Sequence, residues 1–342
     1  ILAEHPTEGG REFEPAEWAD LKQSDANKVN SFRLPGQRPP KPPAPPVPPP
    51  APSVPPAAPP VPPPAPRTGG LWDDFLKIFS PFSRGQEAIA VGACAGLAPS
   101  DYIVVHHRTI AHAVAKGVPL GPLVAELLGK ASGVSGGRAG EMHLRYPPAR
   151  FMFSFQIVGT VAPVGAGLAW AVKHYLKEDD IVAVFHGDAA TSNGQWHEGL
   201  NIASVLSVPL LLICENNGLA GNVRSPYYLP TMTVAERAAG YGIEARTIDG
   251  NDVAGVRDAV REAREYVRRR ARPFLLECLT TRLSKHKQGQ GDIRSKEELE
   301  ELARRDPLLR EEGRLGLTQE TMATLYLEVA KEVAAAIQAA RE

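Results

Sequence analysis

The sequence predicts an α/β fold: a mostly parallel sheet with helices on both faces, preceded by a disordered proline-rich N-terminal arm. Residues 181–220 read IVAVFHGDAATSNGQWHEGLNIASVLSVPLLLICENNGLA, two apolar runs of strand length joined by a helix-length segment. A strand–crossover–strand unit pairs its strands in parallel, and runs this apolar are buried on both faces. Elsewhere strand-like and helix-like segments alternate, as they do in a sheet covered on both sides. The arm has its own signature, because 19 of the 33 prolines fall between Pro35 and Pro66. Proline donates no backbone hydrogen bond and cannot continue a helix, so such runs are extended polyproline II or disordered.

Residues 1–70 are therefore assigned to the arm, and residues 71–342 to one folded domain. The arm would be a spacer, a ligand for a proline-binding domain, or the product of a fragmentary or misread N-terminus. Past it, GQEAIAVGACAGL from Gly85 is a helix of small residues suited to close packing. Asp101 to Val105 is strand-like, and Pro122 to Leu128 is helical. Gly129 to Gly140 holds five glycines and is a loop. Val161 to Tyr175 is a second small-residue helix. Asn251 or Asp252 caps a helix with apolar residues at Val253, Val256, Val260, Ala263 and Val267. PFLLECL from Pro273 is a strand, and Lys296 to Arg305 a charged amphipathic helix.

Composition narrows the function classes. A hydrophobic content of 43% in 342 residues supports a sizeable core. A net charge of −1 gives no basis for nucleic acid or an anionic membrane as partner. Cys94, Cys214 and Cys278 sit far apart in apolar contexts, without metal-ligand spacing, and are expected as buried free thiols in a reducing compartment. No apolar run approaches the ~20 residues of a membrane span. The first methionine is Met142 and the chain starts at Ile1, so a processed or fragmentary N-terminus is expected.

The 181–220 unit also carries chemistry. Its strands end in His186-Gly187-Asp188 and Glu215-Asn216-Asn217, which places Asp188 and Asn217 side by side at the carboxyl edge where open α/β sheets bind ligands. A carboxylate, an amide oxygen and a nearby carbonyl are hard oxygen ligands, suited to Mg²⁺ holding a diphosphate. Backbone N–H groups of Ala189 and Ala190, near the helix start, can meet phosphate oxygens. Gly-Asp alone is an ordinary strand-ending turn. Strand, helix, strand and Asn-Asn at this spacing are much more specific.

The unit resembles the thiamin diphosphate fingerprint, Gly-Asp-(Gly/Ala) followed about thirty residues later by Asn-Asn. An ordered series of further segments resembles the alpha subunit of the decarboxylating component of 2-oxoacid dehydrogenase complexes, the family of the pyruvate, branched-chain and acetoin enzymes. These are GQEAIAVGACAGLAPSDYIVVHHRTIAHAVAKGVPLGPLVAELLGK (85–130), GVSGGRAGEMH (133–143), QIVGTVAPVGAGLA (156–169) and TTRLSKHKQGQGDIRSKEELEELARRDPL (280–308). The resemblance runs over about residues 84–335 and implies the thiamin diphosphate-binding fold.

Transferred by motif, Asp188, Asn217 and the Leu219 carbonyl would ligate Mg²⁺. Arg108 would pair with the diphosphate, aided by His107, which stands where tyrosine is usual. Gln156 and Val158 would touch the cofactor ring, and Ala189 and Ala190 would supply backbone donors. His286 would contact cofactor and substrate and act in catalysis. His106, His174 and His186 have no motif support, and Glu198 and Asn201 would serve packing and capping. The implied reaction decarboxylates a small 2-oxo acid and passes the acyl group to a lipoyl-bearing acyltransferase core. A beta subunit completes the site in a heterotetramer. The expected compartment is a bacterial cytoplasm, with a mitochondrial matrix left open.

Some positions depart from the family pattern. LWDDFLKIFSPFSR (71–84) occupies the place of a lead-in segment that carries a pocket phenylalanine and histidine. Glu141 and Gln156 replace smaller residues, and Lys287 stands where mitochondrial pyruvate enzymes carry a regulatory serine. The alternatives are another thiamin diphosphate enzyme, such as an acetoin dehydrogenase, or a cofactor-binding scaffold subunit impaired in catalysis.

Overall fold

A computed structural model of the chain describes residues 83–231, 233–286 and 291–342. The proline-rich arm, the boundary expected near residue 71 and Lys287 lie outside the described residues. The chain begins with helix α1 (Glu87–Gly96), strand β1 (Tyr102–His106), and helices α2 (Ile110–Ala115) and α3 (Leu120–Leu127). β2 (Phe151–Phe155), α4 (Val161–Ala171), β3 (Val182–Gly187), α5 (Gly194–Val205) and β4 (Leu210–Asn216) follow. The short strands β5 (Leu219–Ala220) and β6 (Val223–Arg224) form an antiparallel ribbon. Then come α6 (Ala235–Ala238), β7 (Glu244–Asp249), α7 (Val253–Arg270) and β8 (Phe274–Leu279), followed by α8 (Lys296–Ala303), α9 (Pro307–Leu315) and α10 (Gln319–Arg341).

The six strands of the main sheet are parallel, in the order β2-β1-β3-β4-β8-β7. The predicted α/β class with a parallel sheet is what the chain adopts. Alternation along the strands divides the core between two faces. Ile103, Val105, Ala183, Phe185, Leu211 and Ile213 pack with Ile89 and Ala93 of α1 and Val256 and Val260 of α7. Tyr102, Val104, Val182, Val184, Leu210 and Leu212 pack with Ala162 and Ala166 of α4 and Trp196 and Leu200 of α5.

Small residues in α1 and α4 bring these helices close to their neighbours. A Cβ at Gly92 would lie 2.6 Å from the Val253 carbonyl oxygen, and one at Gly165 2.2 Å from Val184 Cγ1. Asp252, not Asn251, caps α7, accepting from the Gly255 N–H at 3.1 Å. At the amino edge of the sheet, Asp101 is fully buried. It takes Arg264 Nε at 2.6 Å, Arg264 Nη2 at 3.2 Å, and the N–H groups of Ala98 and Ile181.

The predicted loop 129–140 is closed around one carboxylate. Glu126 of α3, 1% exposed, accepts from the backbone N–H groups of Ser135 and Gly137 at 2.8 Å. Its other oxygen accepts from Ala139 at 2.6 Å and Gly140 at 3.3 Å. The end of α10 covers α3 through Ile337 and Ala340 against Val124 and Ala125. Among the described residues, no helix is long and apolar enough to cross a membrane.

Candidate functional site

From β1 the chain moves to β2 on one side and then returns to β3 on the other. The carboxyl ends of β1 and β3 therefore flank the reversal of strand order, the position at which such sheets form a ligand crevice. His107 and Arg108 follow β1, Asp188 follows β3, and Asn217 follows β4. Gly187 and Glu215 are partners in the β3–β4 register, so Asp188 and Asn216-Asn217 leave the sheet side by side.

Asp188 is buried and accepts from the Tyr228 hydroxyl. Burial pushes its carboxyl above the ordinary aspartate range, and Glu277 adds to the rise. The Tyr228 hydroxyl and backbone N–H groups of Asp188 and Asn217 oppose it without cancelling it. Asn217 Oδ1 accepts from the Leu219 N–H at 3.1 Å, so the turn folds Leu219 back against the amide. The Asn217 Nδ2 donates to Gln86 Oε1 at 3.0 Å. A carboxylate, an amide oxygen and the main chain of a tight turn thus converge. Asp188 has no ion pair among the described residues, and a divalent cation would supply the positive charge that burial makes valuable. The donor set fits a magnesium–diphosphate group.

The opposite wall is basic. Arg108 is buried, and its Nη2 donates to His286 Nδ1 at 3.2 Å and approaches the His286 carbonyl at 3.4 Å. Burial and the neighbouring Arg282 lower the Arg108 guanidinium to about 10, which leaves it charged at neutral pH. Burial, then the neighbouring His106, Arg108 and His286 side chains, push His107 down to about 3, so its imidazole is neutral. The rings of His107 and His286 stand edge to face, with centroids 6.4 Å apart.

Beneath the site lies a buried polar cluster. Glu215 Oε1 is 2.9 Å from His106 Nε2 and 2.8 Å from His112 Nε2, and Glu215 Oε2 accepts from Gln86 Nε2 at 2.9 Å. Burial pushes the Glu215 carboxyl up, but the two imidazoles outweigh it and hold it well below the usual carboxylate range.

A sequence profile of the dehydrogenase E1 component family matches residues 77–342. The chain belongs to this family. It is 36% identical over 226 residues to the alpha subunit of the acetoin:2,6-dichlorophenolindophenol oxidoreductase of Bacillus subtilis, covering 66% of this chain and 68% of that one. It is 37% identical over 227 residues to the pyruvate dehydrogenase E1 component subunit alpha of Zymomonas mobilis, covering 66% and 64%. With the testis-specific mitochondrial pyruvate dehydrogenase E1 alpha subunit of Homo sapiens it shares 34% over 279 residues, covering 77% and 69%. The chain thus spans about two thirds of the length of these relatives.

In this E1-family chain, Asp188, Asn217, Leu219, Arg108, His107 and His286 gather at one end of the sheet. Ala189 and Ala190 are near it, in a short 3-10 turn and not at the start of α5. Residues Asp188–Ser192 form a 3-10 turn, and α5 starts only at Gly194, capped by Asn193. Gly187-Asp188 must first turn out of the strand, which delays the helix. Their N–H groups still open a helical turn and so lack partners inside it. Gln156 and Val158 are exposed just beyond β2 and make no hydrogen bond to Asp188 or Asn217 among the described residues.

Gln86, Glu215, His106, His112, Tyr228 and Arg282 carry site contacts to which sequence reasoning gave no role. Gln86 and Glu215 lie inside motifs already singled out, GQEA and ENN, so their positions were visible while their partners were not. Tyr228 lies in a segment with no motif at all.

Proposed function

We propose that the chain is the alpha subunit of a thiamin diphosphate- and Mg²⁺-dependent 2-oxoacid dehydrogenase. With a beta subunit it would decarboxylate a small 2-oxo acid and pass the acyl group to a lipoyl-bearing acyltransferase core. The observation that supports this reading is that Asp188 and Asn217 emerge from neighbouring strand ends, just past the Gly187–Glu215 pair of the β3–β4 register, at the edge where Arg108 meets His286.

Asp188, the Asn217 amide oxygen and the Leu219 carbonyl would hold the metal, and Arg108 would pair with the diphosphate through its planar fork of donors. The cofactor, when bound, supplies the nucleophilic carbon and the electron sink for loss of CO₂. This chain's residues bind, orient and manage protons. A guanidinium only donates, so Arg108 Nη2 fixes His286 Nδ1 as an acceptor and leaves the proton of the neutral ring on Nε2. Nε2–H would then be the group that donates a hydrogen bond or a proton to the reacting oxygen. Arg282 donates to the Gly221 carbonyl at 2.8 Å and to the Ser284 carbonyl at 3.2 Å, which anchors the loop leading into His286 against the β5–β6 turn.

An acetoin-cleaving enzyme is the second reading, favoured by the 36% identity to an acetoin oxidoreductase subunit. Calorimetry of thiamin diphosphate with the assembled complex tests the cofactor assignment. Binding should need Mg²⁺ and vanish in Asp188→Ala; equal affinity in the variant, or no magnesium dependence, defeats it. Pyruvate and acetoin compared with one dye acceptor separate the two substrate readings.

A further inference from the structure

His106, His112 and Glu215 place three potential metal-ligating atoms within 4.8 Å of one another, all buried. The hydrogen bonding of His106 argues against a metal there. A metal-bound imidazole donates through its other ring nitrogen. His106 Nδ1 instead accepts from the Arg108 backbone N–H at 3.0 Å. That amide cannot reverse its role, so the proton of the neutral ring sits on Nε2, facing Glu215 Oε1 at 2.9 Å.

The direction then propagates. Glu215 is an acceptor, so Gln86 must present its NH₂ to Glu215 Oε2, at 2.9 Å. Gln86 Oε1 is left to accept, and Asn217 Nδ2 donates to it at 3.0 Å. With its nitrogen committed, the Asn217 amide turns its oxygen toward the Leu219 N–H. Gln86 is 2% exposed and Glu215 1%, so water cannot readily replace either partner.

We propose that Gln86 is a positioning residue for the metal site: with Glu215 it fixes which end of the Asn217 amide faces the cation. A flipped Asn217 would offer NH₂ to the cation. The inference rests on the metal-binding reading above. It adds a polarity running from the Arg108 amide just past β1, through Glu215 and the residue that precedes α1, to Asn217 just past β4.

The polarity can be reversed and restored by near-isosteric exchanges. Gln86→Glu sets a carboxylate against the Glu215 carboxylate with no donor between them, so repulsion drives the two apart and draws the acceptor away from Asn217 Nδ2. Glu215→Gln keeps an oxygen for the imidazoles but turns an NH₂ toward Gln86, which reverses Gln86 and hence Asn217. In the double variant Gln86→Glu/Glu215→Gln, the amide introduced at position 215 donates to the carboxylate introduced at position 86. That carboxylate accepts from Asn217, so the original direction returns.

The experiment is a Mg²⁺ titration by calorimetry, at saturating thiamin diphosphate, on the assembled complex. Each single variant should bind Mg²⁺ about 10- to 100-fold more weakly, the usual scale for loss of an outer-shell partner. The double variant should return to within about threefold of wild type, a strongly non-additive result. A merely space-filling role predicts the double to be no better than the worse single. Single variants with wild-type Mg²⁺ affinity, or a double that is not rescued, overturn the proposal. Gln86→Met, which keeps the volume and removes both bonds, serves if a single variant does not fold; about tenfold weaker binding is expected, and wild-type affinity refutes. Loss of magnesium dependence in the wild type would defeat the metal reading instead, so the two failures are distinguishable.

Discussion

Glu126→Gln should loosen the glycine-rich loop 133–140 without disturbing the sheet. In the native chain one carboxylate oxygen accepts from Ser135 and Gly137 and the other from Ala139 and Gly140. The amide keeps one acceptor and sets its NH₂ against two backbone donors, so two charge-assisted bonds are lost. Each such bond is worth about 1.5–3 kcal/mol when nothing replaces it. The loop is half-exposed, so water recovers part of the loss, and ~2–3 kcal/mol of local stability is the expected cost. At 1.4 kcal/mol per factor of ten, the N–H groups of residues 135, 137, 139 and 140 should exchange hydrogen roughly 30- to 150-fold faster. Amides of β3 and β4 should keep their wild-type rates. Hydrogen exchange with peptide resolution on the assembled protein reads both, and loop exchange within threefold of wild type refutes the reasoning.

The same carboxylate gives a pH dependence whose sign is fixed. Burial pushes Glu126 up, but the four N–H groups outweigh it and hold it below its ordinary value of 4.5. A depressed acid contributes stability that is fully present above its unfolded value and is lost as pH falls through the folded one. Wild-type loop protection should therefore fall below about pH 4.5 toward that of Glu126→Gln, while the variant's own protection stays nearly flat there.

Three further outcomes are expected. His286→Ala should bind thiamin diphosphate within a few-fold of wild type yet lose on the order of 10²-fold in acyl transfer to a lipoyl domain; wild-type turnover would make His286 a bystander. Asp101→Ala leaves Arg264 and two backbone N–H groups without their buried partner, and urea unfolding should show a loss of about 3–5 kcal/mol, a loss under 1 kcal/mol being the contrary result. Removing residues 1–66 should leave the melting temperature nearly unchanged, because proline runs build no core, and a fall of many degrees would mean that the arm docks on the domain.

What could be read from sequence was whatever spacing or periodicity encodes. β3, α5 and β4 were legible because apolar runs bracket a helix-length insert, and Asp188 and Asn217 followed from their positions at the strand ends. β7 was not legible. Its sequence EARTID is polar and mostly exposed at the sheet edge, so it pairs with β8 through backbone bonds that leave no side-chain pattern. Gln86, Glu215 and His112 were hidden for a related reason. Polar groups are buried in partnership, and the partner of Gln86 is 129 residues away. Glu126 resembles any charged residue on a helix until the loop is seen to close over it. In each case the information lies in a tertiary hydrogen bond.

Arg108 shows how much one position can settle once those bonds are known. Its backbone N–H meets Nδ1 of His106 at 3.0 Å, and its guanidinium meets Nδ1 of His286 at 3.2 Å. Both groups can only donate, so in each ring Nδ1 is the acceptor and Nε2 is the nitrogen left to carry a proton. For His106 that proton faces inward, where Glu215 accepts it. For His286 the Nε2 edge lies beside the Gly221 turn, where an added Cβ would sit 4.0 Å from Nε2. One residue thus fixes the acceptor nitrogen of two histidines, one that on the proposed reading would orient the Asn217 amide and one that would serve the reacting group. A lysine could supply the charge for a diphosphate, but as a point charge without the fork it would not hold His286 in the same geometry. On the proposed reading, a requirement for arginine would therefore follow from the second histidine as much as from a diphosphate.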